Sequence, residues 1–152
     1  MSEQLKFIAS MFKMCMSEFD MVMGPETIMT IFRLIGERQG EAIEKRMREK
    51  FNVKEWTPSD FANYIVKDVF EPALGEGGAE VIVSSDNELI IKFKICPFEK
   101  AGIDISKKFY CTYTEGLTEN SAKKAFGDAE IISEDLKSNG APICTIKIKI
   151  KQ

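Results

Sequence analysis

In the stretch Ile143-Cys144-Thr145-Ile146-Lys147-Ile148-Lys149-Ile150, the residues Cys144, Ile146, Ile148 and Ile150 recur at every second position, with Thr145, Lys147 and Lys149 between them. A period of two is the signature of a strand with one face in the core and one in water. Strands of this kind belong to antiparallel sheets backed on a single face, because parallel strands are buried on both. Working back from it, Ser138-Asn139-Gly140 reads as a turn and residues 129–136 as the partner strand of a hairpin. The segment before that carries helical periodicity over Phe109–Phe126 and is stopped by Gly127. Further upstream a second hairpin is expected, with strands at 79–84 and 88–95 joined at Ser85-Asp86-Asn87. Leu89, Ile91, Phe93 and Ile95 share one of its faces, and Lys92 and Lys94 the other.

The N-terminal half reads as helices. Leu5, Ile8, Phe12, Cys15 and Phe19 recur at steps of three and four, and Met11, Met14, Met16, Met21 and Met23 widen that stripe. Gly24-Pro25 ends this helix and opens a second, expected to run to Lys50 with Ile28, Phe32, Ile35, Ile43 and Met47 on its buried side. Gly36 and Gly40 stand one turn apart within it. Each glycine costs about 1 kcal/mol against alanine, so the pair suggests that another element packs close to this backbone. Thr57-Pro58-Ser59-Asp60 starts a third helix, with Thr57 as N-cap and Asp60 complementing the helix dipole; Pro72 and the glycines 75, 77 and 78 are expected to stop it. The fold class is therefore α+β, in the order ααα-ββ-α-ββ, with the helices on one face of a four-stranded antiparallel sheet.

The chain has 152 residues, 44% hydrophobic and 30% charged, which fits one soluble domain with a core of its own. Residues 1–23 stand apart as a Met-rich helix and a candidate dimer arm, and 24–152 as the remaining unit. A formal charge of -3 gives no reason to expect a nucleic-acid partner. The absence of a signal-peptide pattern or a long apolar run leads to the expectation of a cytoplasmic protein without membrane association. Histidine is absent, so the commonest general base and metal ligand is unavailable.

Cys96, Cys111 and Cys144 each sit beside structural punctuation: the end of a strand before Pro97, the start of a helix, and the start of the last strand. Their convergence would make a soft-metal site or a thiol-lined pocket. Zinc signatures bring two ligands within two to four residues of each other, and no such pair occurs here. The bland alternative is three buried thiols that act as small hydrophobes. A carboxylate such as Glu134 or Glu115 would complete a chemically reasonable zinc set, though local spacing does not support one. Phe32, Phe109, Tyr110, Tyr113 and Leu117 are the candidate lining of an apolar pocket, against ordinary core packing as the alternative. No phosphate cradle or nucleophile elbow is present. The enzymatic option is a cysteine such as Cys111, whose place at a helix N-terminus could lower its pKa.

Cys96-Pro97-Phe98, Cys111 with Tyr113 and Gly116-Leu117, and Gly140-Ala141-Pro142-Ile143-Cys144-Thr145-Ile146 together resemble the small-molecule-binding domain named after 4-vinyl reductase. That family shares its fold with TRAPP vesicle-transport subunits and with phenol-sensing domains of bacterial activators. Ile35-Gly36-Glu37-Arg38-Gln39-Gly40 is similar to the paired-glycine helix that precedes the domain. The resemblance covers residues 24 to 150 and implies a ligand binder or sensor with an apolar pocket between helices and sheet. In the phenol-sensing relatives a structural zinc is held by cysteines and one glutamate; two of those cysteines correspond to Cys111 and Cys144, another falls on Leu136 and the glutamate on Ser133, so the resemblance carries over only part of the set, with Cys96 available as a third thiolate. The expectation is a sensor or carrier of a small apolar or aromatic molecule, acting as a homodimer, with zinc as the possible cofactor. The alternatives are a ligand-free interaction subunit and a cysteine-dependent enzyme.

Overall fold

The computed structural model of the protein describes residues 2–151; Met1 and Gln152, the ends of the expected single domain, lie outside the described residues. Six α-helices and four strands follow in the order α1 (Glu3–Met23), α2 (Pro25–Lys50), α3 (Pro58–Ile65), α4 (Glu71–Leu74), β1 (Ala79–Ser85), β2 (Glu88–Phe93), α5 (Pro97–Lys100), α6 (Phe109–Phe126), β3 (Ala129–Asp135) and β4 (Cys144–Ile150). The α+β class and the order of helices and hairpins are as the periodicities require.

The sheet is antiparallel throughout, in the order β1-β2-β4-β3. Leu89 pairs with Ile148, Ile91 with Ile146 and Phe93 with Cys144, so the apolar residues of the two hairpins fall on one face. The other face carries charged cross-strand rows such as Glu88, Lys149 and Glu130, which suit a solvated surface. Against the apolar face pack Ile43 and Met47 of α2, Phe61 and Ile65 of α3, and Leu117 and Ala122 of α6.

The close approach that the paired glycines imply is made by α6. A Cβ on Gly36 would lie 3.0 Å from the Leu117 amide nitrogen, one on Gly40 2.9 Å from that of Ser121, and one on Gly116 2.5 Å from the Arg33 carbonyl oxygen. Three glycines thus bring two backbones into contact, a geometry that favours Cα–H···O contacts across the crossing. Asn120 Nδ2 donates to the Glu37 carbonyl and Thr112 Oγ1 to that of Met29, pinning the two helices along their length.

Three local expectations need correction. Ile35 is 48% exposed rather than buried, because the glycine stripe, one residue on, is the face that α2 turns to α6. Leu5, Ile8 and Phe19 are likewise exposed, since α1 reaches the body of the molecule through Phe12 and Met16. Pro72 does not stop the third helix. A π-helical turn over Val66–Phe70 resets the hydrogen-bond ladder, Pro72 then falls in the first turn of α4 where no donor is needed, and the chain leaves the helix at Gly75 with φ of 85°. β2 and β3 also end earlier than the sequence suggests, at Phe93 and Asp135, and the hairpins carry bulges at Val83/Ser85 and Ser133/Asp135.

Candidate functional site

Among the described residues there are two hydrophobic clusters, and the smaller one is the candidate site. Met16 of α1, Ile28 of α2, and Phe109 and Tyr110 of α6 are buried together, with Phe12, Met29, Phe32, Phe98, Ile103 and Ile105 packed around them. Tyr110 is the hub. Its ring stacks on Phe98 at 4.4 Å and 23°, meets Phe32 edge-on at 5.5 Å, and has Phe12 and Phe109 at 6.3 Å. Such tilted and offset aromatic pairs add about 0.5–1.5 kcal/mol each beyond the area they bury.

Local sequence explains why Tyr110 is so placed. Lys108 adopts the left-handed conformation, φ 63°, immediately before α6, so the chain turns sharply and aims the first two aromatic residues of the helix inward. Segment 101–108 closes over them through Ile103 and Ile105. It is tied to α1 by the ion pair of Lys107 with Asp20. Burial raises the Tyr110 phenol, and the Asp104 carboxylate adds to the effect. Asp104 itself is held below its usual range because it accepts a hydrogen bond from the Ser106 amide at 2.9 Å. The cluster therefore offers apolar ring faces with one neutral hydroxyl near a fixed negative charge.

Of the residues that sequence reasoning places in a pocket, Phe32, Phe109 and Tyr110 come together here. Tyr113 and Leu117, one and two turns further along α6, pack instead with the main core beneath the α2 crossing. Sequence reasoning missed Phe98, Phe12, Ile103 and Ile105 as neighbours of Tyr110. Phe98 stands in the Cys96-Pro97-Phe98 triplet, and the spacing of Ile103 and Ile105 was the available sign for the loop.

The three cysteines form a second feature beside this cluster. Cys96 precedes α5, Cys111 lies in the first turn of α6 and Cys144 opens β4. A 3₁₀ turn, Lys137–Asn139, binds two of them: Cys111 Sγ donates to Ser138 Oγ at 3.3 Å, and the Lys137 amide donates to Cys144 Sγ at 3.2 Å. Lys137 Nζ also reaches Glu99 of α5 at 3.1 Å. Burial pushes both the Cys111 and the Cys144 thiol up, and the nearby Cys96 raises each further. This corrects the expectation of a lowered pKa for Cys111. Its position in the first helical turn is outweighed by desolvation, so the thiol is protonated at neutral pH and is a poor nucleophile.

Zinc ligation would need thiolates disposed as a common donor set. Among the described residues no three Cys, Asp or Glu side chains are grouped to hold a metal, and Glu115 is turned to Ser133, which donates to it at 2.6 Å. As arranged, Cys111 and Cys144 form a hydrogen-bonded seam between α6 and the 137–139 turn. Among the described residues no helix is long and apolar enough to cross a membrane.

Known structures share this architecture. The chain is similar to a trafficking protein particle complex subunit 3 from Naegleria fowleri, solved covalently bound to palmitic acid, with a TM-score of 0.69 and 18% identity over 97% of this chain and 95% of that one. It is also similar to the phenol-responsive sensory domain of the transcription activator PoxR, solved with phenol, with a TM-score of 0.57 and 12% identity over 95% and 73%. At these identities the likeness establishes a shared fold. No curated protein matches the sequence. The family described as Methanogen output domain 1 matches residues 7–149. That match takes in both glycine helices, three strands whole and all of β4 but its last residue, and the chain belongs to the Methanogen output domain 1 family.

Proposed function

We propose that the protein binds a small apolar or aromatic molecule in the Tyr110 cluster, as a sensor or carrier. The observation that carries this reading is Tyr110 itself: a buried phenol ringed by Phe12, Phe32, Phe98 and Phe109 in a cluster separate from the main core. Two structures of the same fold, one solved covalently bound to palmitic acid and one with phenol, support the ligand class.

The guest would enter by displacing Phe98 from its stack on Tyr110, which requires α5 and segment 101–108 to move as a flap. Apolar burial would drive binding at roughly 25 cal/mol per Å² of surface removed from water. A guest with a hydroxyl would gain orientation from the Tyr110 phenol, since few polar groups fix orientation in such sites. The flap is fastened to α1 through Lys107 and Asp20, so its opening would be felt at the N-terminal helix.

Native mass spectrometry of freshly purified protein, followed by calorimetric titration with phenol and with a fatty acid, tests the reading. A co-purifying apolar mass, or saturable binding weakened at least tenfold by Tyr110→Leu, is the expected result. No adduct and no binding of either probe would sink it and leave a ligand-free interaction role. An added mass of zinc in the same spectrum would instead indicate rearrangement of the cysteine seam.

A further inference from the structure

The N-terminal hairpin leaves two apolar surfaces uncovered. Among the described residues, nine of the large apolar side chains that are exposed belong to α1 and three to α2, against three on the sheet. From Ser2 to Met11 every residue is exposed except the half-buried Ala9, so nearly three turns of α1, about 15 Å at 1.5 Å per residue, project as an arm. The side of α1 away from the body is a shallow groove lined by Phe7, Met11, Met14 and Glu18, although Phe12 and Met16 already occupy the side toward the body. A helix that is apolar on both sides demands cover on both. The second uncovered surface is the outward stripe of α2, where Ile31, Leu34 and Ile35 are exposed at 40%, 49% and 48% and lead to exposed Arg38.

We propose that these two surfaces cover one another between two copies of this chain, α1 of each lying on the α2 stripe of the other about a two-fold axis. Three observations favour a second copy over other occupants. First, both halves of the contact are present on one chain, as an isologous interface requires. Second, side chains of this size present about 100 Å² each when half exposed, so Phe7, Met11, Met14 and Phe19 of the α1 groove with Ile31, Leu34 and Ile35 of the α2 stripe offer about 700 Å² per protomer, close to the roughly 800 Å² per partner typical of a stable interface. Third, each surface is apolar apart from one charge, Glu18 on α1 and Arg38 on α2. Neither has an ion-pair partner among the described residues, and the two are of opposite sign. The α1 charges are Glu3, Lys6, Lys13, Glu18 and Asp20, more acidic than basic, which disfavours an anionic lipid surface as the occupant. The proposal stands independently of the ligand reading.

Sedimentation equilibrium on the full chain, with circular dichroism as the check on folding, tests it. The unaltered chain is expected to be a dimer at micromolar concentration, and Leu34→Glu a folded monomer. Glu18→Arg and Arg38→Glu alone should each weaken dimerisation on the order of tenfold or more by setting like charges together, and the double reversal should recover it. A monomeric unaltered chain, a dimer indifferent to Leu34→Glu, or a double reversal no tighter than the singles would overturn the proposal.

Discussion

Gly40 of α2 and Leu117 of α6 touch backbone to backbone: the Leu117 carbonyl occupies the space that a Cβ on Gly40 would need. No side chain can yield there, so a substituent can be housed only by separating two helices that also hold the main core. Gly40→Ala, and equally Gly36→Ala, should therefore destabilise by about 1–3 kcal/mol or more, as overpacking does, although alanine is the better helix former. Urea unfolding measures it; a midpoint raised by either change would show that the crossing is looser than it stands here.

Thr118 points the other way. It is fully buried and its Oγ1 has no hydrogen-bond partner among the described residues. Thr118→Val replaces the orphan hydroxyl with a methyl of the same shape and should stabilise the protein by about 1 kcal/mol, within the range for removing an unsatisfied buried polar group. The same unfolding experiment reads it, with the opposite sign from the glycine variants.

Glu44 is a buried carboxylate that accepts from Trp56 Nε1 at 2.8 Å and from Arg48 Nε at 2.7 Å. Glu44→Ala strands the indole donor away from water, and a loss of about 1–3 kcal/mol is expected. Trp56 is the only tryptophan, so its emission should shift in the folded variant, reporting the lost hydrogen bond separately from the fall in stability.

The cysteine seam sets an alkaline limit. Cys111 and Cys144 both have pKa values raised in the folded state above the ordinary thiol value of 9.0. A raised acid favours the folded chain while it is protonated. That contribution is complete below the unfolded value and disappears as pH climbs through the folded one. Stability should accordingly fall above about pH 9, and Cys111→Ser with Cys144→Ser should flatten that fall. Denaturation midpoints across pH 7 to 11 check this; a decline unchanged in the double variant would assign it to the tyrosines.

Sequence pattern identified most of the fold because its signals are local. Alternation placed the core faces of β2 and β4, Gly127 ends α6 as the punctuation requires, and Gly36 with Gly40 announced a close neighbour without naming α6. What escaped was relational. Ile35 carries the same letters as a buried residue, and only the crossing angle decides that its glycine neighbour faces inward. Pro72 reads as a stop unless the π turn upstream is known. At the candidate site, Phe109 and Tyr110 were legible as helix-start aromatics, yet their meeting with Phe12 and Phe98 depends on how α1 folds back and how segment 101–108 crosses the gap. Tyr113 and Leu117 share their helix but, one and two turns on, join a different cluster.

The strand order carries a consequence for how the chain comes into being. β4, last in sequence, lies second from one edge with β2 and β3 on either side. A nascent chain emerging from the ribosome can assemble its helices early, but β2 and β3 have no common partner until residues 144–150 are out. Until then the backbone edges of β2 and β3 that β4 will pair stay open, a template for pairing with another chain. Closure of this sheet therefore waits for the last of its four strands in chain order.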